Sequence, residues 1–350
     1  ELAKMEADMG NLAMEHGLEI LHVLPQEYRI DDEEGVKEPV GRMGVRVECN
    51  YHIITGQTAA ARHILMAVRR AGLDVADLIV EPFASSAAVL SPAEMEAGVA
   101  LVDIGGGTTD MCIFEDGFIR HTAIIDIGGD RITKDIQDAF GILKEQAEIV
   151  KVNYGSCYPS DNMRNEVVVV PGLPGRKPKE ISLYAISQVI KARMEDIIER
   201  VNYEIEVSGQ RKRLTGGIVL TGGGSAMKNI IQLFTYETGL EVHIGSPGQH
   251  LGRGMVEEVR NPMYATGIGL VLKGFETRNE QNLPVNTLIQ KETQQSAPIE
   301  DTVLAEELEE KEPREGLFDK LKKPFSGNWG LFNGLDRWMK EGDDFNDDMK

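Results

Sequence analysis

Cysteine is scarce in this sequence, and that scarcity excludes a disulfide scaffold. Three occur in 350 residues, Cys49, Cys112 and Cys157, odd in number and far apart. No C-x-x-C spacing joins any two of them, so a zinc site or redox pair of that type is excluded too. They read as reduced thiols of a cytoplasmic protein. Aromatics are thin, 6% of the chain with two tryptophans. Basic charge is in deficit: 37 Lys+Arg stand against 57 Asp+Glu, a net charge of −20. That balance argues against a nucleic-acid binder, whose affinity rests on basic contacts to phosphate. No signal peptide is present, and no apolar run is long enough to span a bilayer. An initiator methionine is also missing. The chain opens at Glu1 in the helix-like "ELAKMEADMGNLAMEHG", as a fragment of something longer would. The seven histidines, among them His63, His121 and His243, show no metal-ligand pairing, and no Ser/His/Asp arrangement stands out.

What is present is a globular pattern, with 41% hydrophobic residues in a length that suits about two or three packed units. "LEILHVLPQEYRI" is β-like and is followed by an acidic turn, "DDEEG". "GQTAAARHILMAVRRAGL" has helical periodicity, with Ala60, Ile64, Ala67 and Val68 on one side and Gly72 as a stop. "DVADLIVEPFASSAAVL" reads as a short buried strand running into a small-residue helix. "GVALVDI", "TDMCIF" and "GFIRHTAII" read as three strands, the last two joined at Asp116-Gly117. "DRITKDIQDAF" and "LKEQAEIVKVNYG" are helices, "NEVVVV" a strand, and "SLYAISQVIKARMEDIIERVNYEIEV" a long amphipathic helix. Strand, glycine loop and helix return in "GGIVLTGGGSAMKNIIQLFTYETG", and "NPMYATGIGLVL" is a last buried helix. Met66 and Met194 sit at core spacing. No short-period internal repeat is evident, and the alternation of strands with helices means α/β.

The chemistry concentrates in "LVDIGGGTTDMCIF", Leu101 to Phe114. Gly105, Gly106 and Gly107 let backbone amides approach a phosphate closely, and Thr108 and Thr109 add hydroxyl donors. Asp103 would repel a bare phosphate but would hold a Mg²⁺ arriving with a polyphosphate, through the metal's water shell. A glycine-rich hairpin with conformational needs alone is the alternative. "VLTGGGSAM" supplies a second strand–glycine–helix turn at Gly222, Gly223, Gly224 and Ser225, where a nucleoside would lie against exposed backbone. Between them Glu148 and Lys151 share a helical face, a spacing that suits a clamp on ribose and adenine and equally a solvated face. Glu81, in "EPFAS", is placed to orient an attacking water or simply to sit at a helix N-terminus.

In order and spacing these motifs resemble the actin/Hsp70/sugar-kinase ATPase superfamily. Glu81-Pro82 looks like its first connecting segment, Asp103–Asp110 its second phosphate loop, Gly222–Ser225 its adenosine loop and "NPMYATGIGL" its second connecting helix. Within it the likeness is to the FtsA family of bacterial division proteins. "HVLPQEYRIDDEEGVKEPVGRMGVRVE" resembles the stretch leaving the FtsA 1C subdomain, and "ISLYAISQVIKARMEDI" a 2B helix. The resemblance implies an actin-like (ribonuclease H-like) α/β ATPase fold, present in part. On that scheme residues 1–48 end a 1C-like subdomain and 49–98 are the remainder of a 1A-like one. Residues 99–127 begin a 2A-like subdomain, 128–215 form a 2B-like one, and 216–275 return to 2A. The family's first phosphate loop and most of subdomain 1C have no counterpart here. The chain looks like a member lacking its N-terminal part.

After Lys273 the composition changes. Residues 276–315 hold 11 acidic and 4 basic groups, as a disordered linker does. Residues 316–340 hold 5 basic and 2 acidic groups and both tryptophans, and with the acidic end form a tail over 316–350. On a helical wheel Leu331, Phe332, Leu335, Trp338 and Met339 share one arc, opposite Asn333, Arg337 and Lys340. That is the pattern of a helix lying in the headgroup region, and packing onto the globular part is the alternative. FtsA proteins end in such a helix.

The resemblance therefore implies an ATP- and Mg²⁺-binding protein on the cytoplasmic face of the cell membrane at the division site. It would anchor FtsZ polymers there, associate into filaments and recruit other division proteins. ATP turnover is at most a slow switch, with Glu81 its candidate base. A soluble kinase or pilus-assembly protein of the same fold is the alternative, and a chaperone is not, since nothing here supplies a β-rich peptide-binding domain.

Overall fold

The computed structural model describes residues 1–172, 174–248 and 259–280. The described residues all lie in one compact unit, Glu1–Leu283. The linker beyond residue 280 and the tail residues Leu331, Phe332, Leu335, Trp338 and Met339 lie outside the described residues.

A helix, α1 (Leu2–Gly10), precedes a three-stranded antiparallel sheet of β1 (Leu18–Ile30), β2 (Glu33–Val36) and β3 (Val47–Gln57), in the order β2–β1–β3. The acidic turn is tighter than "DDEEG" suggests, because Glu33 already pairs with Ile30. After β3 come α2 (Thr58–Arg70), α3 (Glu81–Val89) and the short α4 (Pro92–Ala97). Ser91 opens α4 with a reciprocal capping box to Glu94.

The central sheet follows: β4 (Val99–Ile104), β5 (Thr109–Glu115) and β6 (Phe118–Ile125). Asp116 and Gly117 make the β5–β6 turn with φ of +54° and +83°, the positive values a two-residue hairpin needs. Next are α5 (Gly129–Phe140), α6 (Lys144–Tyr154), a small hairpin of β7 (Val167–Val170) and β8 (Lys179–Ser182), and the long α7 (Leu183–Val207). The chain re-enters the sheet at β9 (Ile218–Thr221), passes through a 3-10 turn, Gly223–Ala226, into α8 (Ile230–Thr238), and adds β10 (Val242–Ile244). The last described helix is α9 (Ala265–Glu280), which continues through residues whose composition reads as linker.

Strand order in the central sheet is β10–β9–β4–β5–β6, parallel from β10 to β4 and antiparallel from β4 to β6. Because side chains alternate along a strand, this sheet has two buried faces. Ala100, Val102, Ile104, Met111, Ile113, Ile218 and Leu220 face a core that includes the α7 stripe Ile186, Ile190, Met194, Ile197 and Val201. Val99, Leu101, Cys112, Phe114 and Val219 face the other way, onto α3 and α9. Cys112 and Cys157 are buried free thiols, and Cys49 is half-buried.

Two local expectations are corrected. The strand expected just before Glu81 does not form: residues 73–80 carry no strand, and Val80 N–H donates to the His22 side chain of β1, not to a strand backbone. In α2 the buried residue is Ala61, while Ile64 is 54% and Met66 37% exposed, so the expected stripe of Ala60, Ile64, Ala67 and Val68 is not the covered face. The reason is contact: α2 meets the described residues mainly beside β3, so its own periodicity does not decide which side is buried. β8 and β10, too short to show a pattern, are additions to the expected elements.

Candidate nucleotide site

The two Asp-Ile-Gly-Gly turns of the chain, at 103–106 and 126–129, meet backbone to backbone. Gly129 N–H donates to Gly105 O at 2.9 Å and Asp130 N–H to Gly106 O at 2.8 Å. The first N–H groups of a helix have no partner within it, and here the glycine loop between β4 and β5 supplies carbonyls for two of them. The loop closes on itself through Gly105 N–H to Thr108 O, 3.0 Å.

Beside this junction lies a cavity of about 410 Å³, within the ordinary range for a small-molecule site. Gly105, Gly106, Gly129 and Asp130 form one wall. Glu148, Lys151 and Val152 come from α6, Gly223, Gly224 and Met227 from the turn after β9, and Asn261 and Met263 from the segment before α9. The structure thus brings Gly105, Gly106, Glu148, Lys151, Gly223 and Gly224 to one concavity.

The remaining sequence candidates sit around it. Gly107 is exposed at the loop tip. Thr108 Oγ1 donates to Asp110 Oδ2 at 2.6 Å, and buried Thr109 donates to Ile127 O at 2.7 Å. Gly222 holds φ +80° against β4, where a Cβ would come 2.6 Å from Ile104 O. Ser225 is buried and donates to Gly222 O at 2.7 Å. Both threonine hydroxyls and that of Ser225 therefore already serve the loops' own shape.

Asp103 lies at the sheet end opposite Asp110 in the β4–β5 register, the two being 2% and 3% exposed. Ser85 Oγ of α3 donates to Asp103 Oδ2 at 2.6 Å, and Thr266 Oγ1 of α9 lies 3.3 Å from the same oxygen and 3.3 Å from Glu81 Oε1. Glu81 is the first residue of α3, not the last of a strand. Burial pushes the Asp103 carboxyl up, against its hydrogen bond from Ser85, and the Asp110 charge adds to the rise. Burial raises Asp110 as well, opposed by Thr108. Glu81 is raised by desolvation and then by the charges of Asp110 and Asp103. The three carboxyls thus resist ionisation through burial, with the Asp110 charge acting on Asp103 and the charges of Asp110 and Asp103 acting on Glu81.

Sequence reasoning passed over Ser85, Thr266, Asp130 and Thr133. The repeated Asp-Ile-Gly-Gly was the available signal for Asp130. Ser85 and Thr266 stand in small-residue helices whose close packing brings their hydroxyls to 3.0 Å, which no local pattern reveals. Among the described residues no group of three His, Cys, Asp or Glu forms a metal cage, and no helix is long and apolar enough to cross a membrane.

Comparisons with known proteins converge. A family model described as "Cell division protein FtsA" matches residues 100–269, and one described as "SHS2 domain inserted in FTSA" matches residues 1–55. The chain is 37% identical over 310 residues to the cell division protein FtsA of Pseudomonas aeruginosa, covering 89% of this chain and 70% of that protein. Against FtsA of Escherichia coli K12 it is 38% identical over 265 residues, 74% of this chain and 63% of that one. Against FtsA of Bacillus subtilis it is 34% identical, covering 77% and 59%. It spans about two thirds of the length of these relatives. Among solved structures, a PilM-PilN type IV pilus biogenesis complex aligns with TM-score 0.55 at 18% identity over 78% of this chain and 73% of that one. MreB5 of Spiroplasma citri bound to ADP aligns with TM-score 0.51 at 24% identity, covering 65% and 69%.

Proposed function

The chain belongs to the FtsA family of cell division proteins and carries the actin-like ATPase fold, and from that premise we propose that it binds ATP and links FtsZ polymers to the membrane during division. The observation that supports nucleotide binding is the single cavity shared by Gly105–Gly106, Glu148–Lys151 and Gly223–Gly224. There the loop Gly105 to Thr109 would meet the phosphates, and Glu148, Lys151 and the turn Gly222 to Ser225 would frame the nucleoside. The absence of side chains at Gly106 and Gly107 suits close approach: a Cβ at Gly106 would come no nearer than 3.6 Å to its neighbours, and one at Gly107 would meet nothing within 4 Å. The raised carboxyl of Asp103, buried beside Asp110, suits Mg²⁺ held through its water shell. When bound, the metal supplies charge neutralisation for the polyphosphate. Glu81 is the residue to orient a water, in slow turnover that would act as a switch.

The finer division role draws on the family and the tail. Leu331, Phe332, Leu335, Trp338 and Met339 would lie in the headgroup region of the cytoplasmic membrane face, tethered by the acidic linker. Each large apolar side chain buried there contributes about 1.5–3 kcal/mol at full burial, enough for a handful to hold the protein reversibly. Segment 128–215 would receive FtsZ, while self-association and recruitment of later division proteins follow the family. One experiment tests the tether. Trp329 and Trp338 are the two tryptophans of the chain, so their emission is recorded as anionic vesicles are added, with and without FtsZ polymers. A blue shift abolished by Trp338→Glu, with FtsZ pelleting on vesicles only when the unaltered chain is present, supports the reading. No shift and no pelleting would overturn it in favour of a soluble ATPase.

A further inference from the structure

Lys151 has three N–H donors, and each has an acceptor inside the fold. Its Nζ lies 3.0 Å from Gly129 O, 2.8 Å from Thr133 Oγ1 and 2.8 Å from Glu148 Oε2. Although it lines the cavity, Lys151 has no donor left over for an occupant in this arrangement. Thr133, on α5, is fully buried. Its hydroxyl accepts from Lys151 and donates to Glu148 Oε2, with Gly129 O a second acceptor at 3.2 Å.

Glu148 is left in a different position. Its Oε2 is held by both Thr133 and Lys151, whereas its Oε1 receives no hydrogen bond among the described residues. Burial works against its charge, but the hydrogen bonds from Lys151 and Thr133 outweigh that and hold the carboxyl below its ordinary range. An ionised carboxylate oxygen only accepts. What Glu148 presents to the cavity is therefore an oriented acceptor, and its complement is an O–H or N–H on the occupant.

The same contacts reach the other end of the site. The Gly129 peptide accepts from Lys151 and Thr133 through its carbonyl, and the Gly129 N–H donates to Gly105 O of the glycine loop. Gly129 is packed between the two partners: a Cβ there would sit in ordinary contact, 3.5 Å from Lys151 Nζ and 3.4 Å from Gly105 O. A continuous hydrogen-bonded path thus runs from the loop through Gly129 and Thr133 to Glu148.

The geometry points to Thr133 as a positioning residue that sets Glu148 with one oxygen held and the other ready to accept from the hydroxyls of a nucleotide sugar, which makes the site selective for ribose over sugars lacking them. This rests on the nucleotide reading of the cavity. Thr133 touches no ligand and acts through Glu148. Without its hydroxyl, Glu148 loses a donor and Lys151 regains a free N–H, so the carboxylate turns and both oxygens become engaged within the fold. A merely structural threonine would weaken binding of every nucleotide by the same factor; a positioning one changes the ratio between sugars.

The test uses the full chain with Mg²⁺ and two probes, ATP and 2′,3′-dideoxy-ATP, titrated calorimetrically against the unaltered protein, Thr133→Ser, Thr133→Val and Thr133→Ala. The unaltered chain is expected to prefer ATP by about tenfold or more, equivalent to about 1.4 kcal/mol. Thr133→Ser keeps that ratio within about twofold, and Thr133→Val and Thr133→Ala bring it towards one. Thermal unfolding without nucleotide shows which variants fold, and if Thr133→Val does not, Thr133→Ala decides the matter. A ratio unchanged in the folded hydroxyl-free variant overturns the proposal while leaving nucleotide binding in place. Failure of the unaltered chain to bind either probe overturns the nucleotide reading and the proposal with it.

Discussion

Gly128 lies directly on the carbonyl of Gly106: a Cβ built on Gly128 would stand 2.6 Å from Gly106 O and 2.8 Å from Gly105 O. Its backbone is extended, with φ −144°, so the demand is steric and not conformational. The obstructing atoms are main chain, and they are the acceptors for the N–H groups of Gly129 and Asp130. They cannot swing aside without breaking the junction of loop and helix. Gly128→Ala is therefore expected to lower stability by about 1–3 kcal/mol, the usual scale for overpacking. A urea unfolding midpoint unchanged from the parent would show that the junction yields freely.

His22 offers a pH dependence of defined sign. Its Nε2 accepts from Val80 N–H at 3.3 Å, and its ring stands edge-on to Phe83 at 5.8 Å. Burial lowers its pKa from the ordinary 6.5, against the charge of Asp77. The native state then binds fewer protons than the unfolded one, so this contribution is present above pH 6.5 and is lost as pH falls through that value towards the lowered folded pKa. Protonated Nε2 would also set a donor against the Val80 N–H. Replacing His22 by Phe, which keeps a ring but cannot titrate, is expected to flatten the fall in Tm between about pH 7.5 and pH 5.5. If the parent and the variant lose Tm in parallel over that range, His22 is not the group responsible.

Glu115 separates two ion pairs that look alike on paper. It is 7% exposed and receives Arg213 on one oxygen and Arg120 on the other. The Arg120 side chain is 17% exposed and also meets Glu27 of β1, whereas Arg213 is 65% exposed. Removing the buried acid strands Arg120 with less compensation, at a cost of up to about 3–5 kcal/mol, the scale for a broken buried pair. Removing the solvated Arg213 costs less than about 1 kcal/mol. Denaturant melts of Glu115→Ala and Arg213→Ala compared side by side decide the point, and equal losses would refute the distinction.

Much of this architecture can be read from residue order. β4, β5 and β6 announce themselves through alternation and the Asp116-Gly117 turn, and α7 through an apolar stripe fully buried at Ile186, Ile190, Met194 and Ile197. The glycine loops and the Glu148–Lys151 spacing could be singled out because each is local. The strand expected before Glu81 could not be judged that way, because a strand is a property of a pair and its apolar residues say nothing about a neighbour. α2 shows the same limit, since periodicity finds a face but not what covers it. Thr133 is invisible in the sequence for a related reason. Its role arises where α5 crosses α6, and nothing in "DRITKDIQDAF" says that one hydroxyl meets a carboxylate and an ammonium from a later helix.

Two glycines of α9, Gly267 and Gly269, two residues apart and so on nearly opposite faces of the helix, are expected to respond in opposite directions to the same change. Gly269 is buried against α3, where a Cβ would meet the Ala84 carbonyl group and lie 3.1 Å from Ala84 Cα. The two helices approach this closely because each offers small residues at the crossing, which also brings Thr266 to Ser85 and Asp103. Gly269→Ala should push the helices apart, lower stability by about 1–3 kcal/mol and loosen those hydroxyl contacts. Gly267 is exposed, and a Cβ there would meet nothing within 4 Å. In a helix interior, alanine is better than glycine by about 0.8–1 kcal/mol, so Gly267→Ala should raise stability. Thermal melts of the two single variants provide the check. A rise for Gly267→Ala with a fall for Gly269→Ala ties the close helix crossing, and with it the setting of Asp103, to a position where only hydrogen fits; two changes of the same sign would show that helix propensity alone governs this segment.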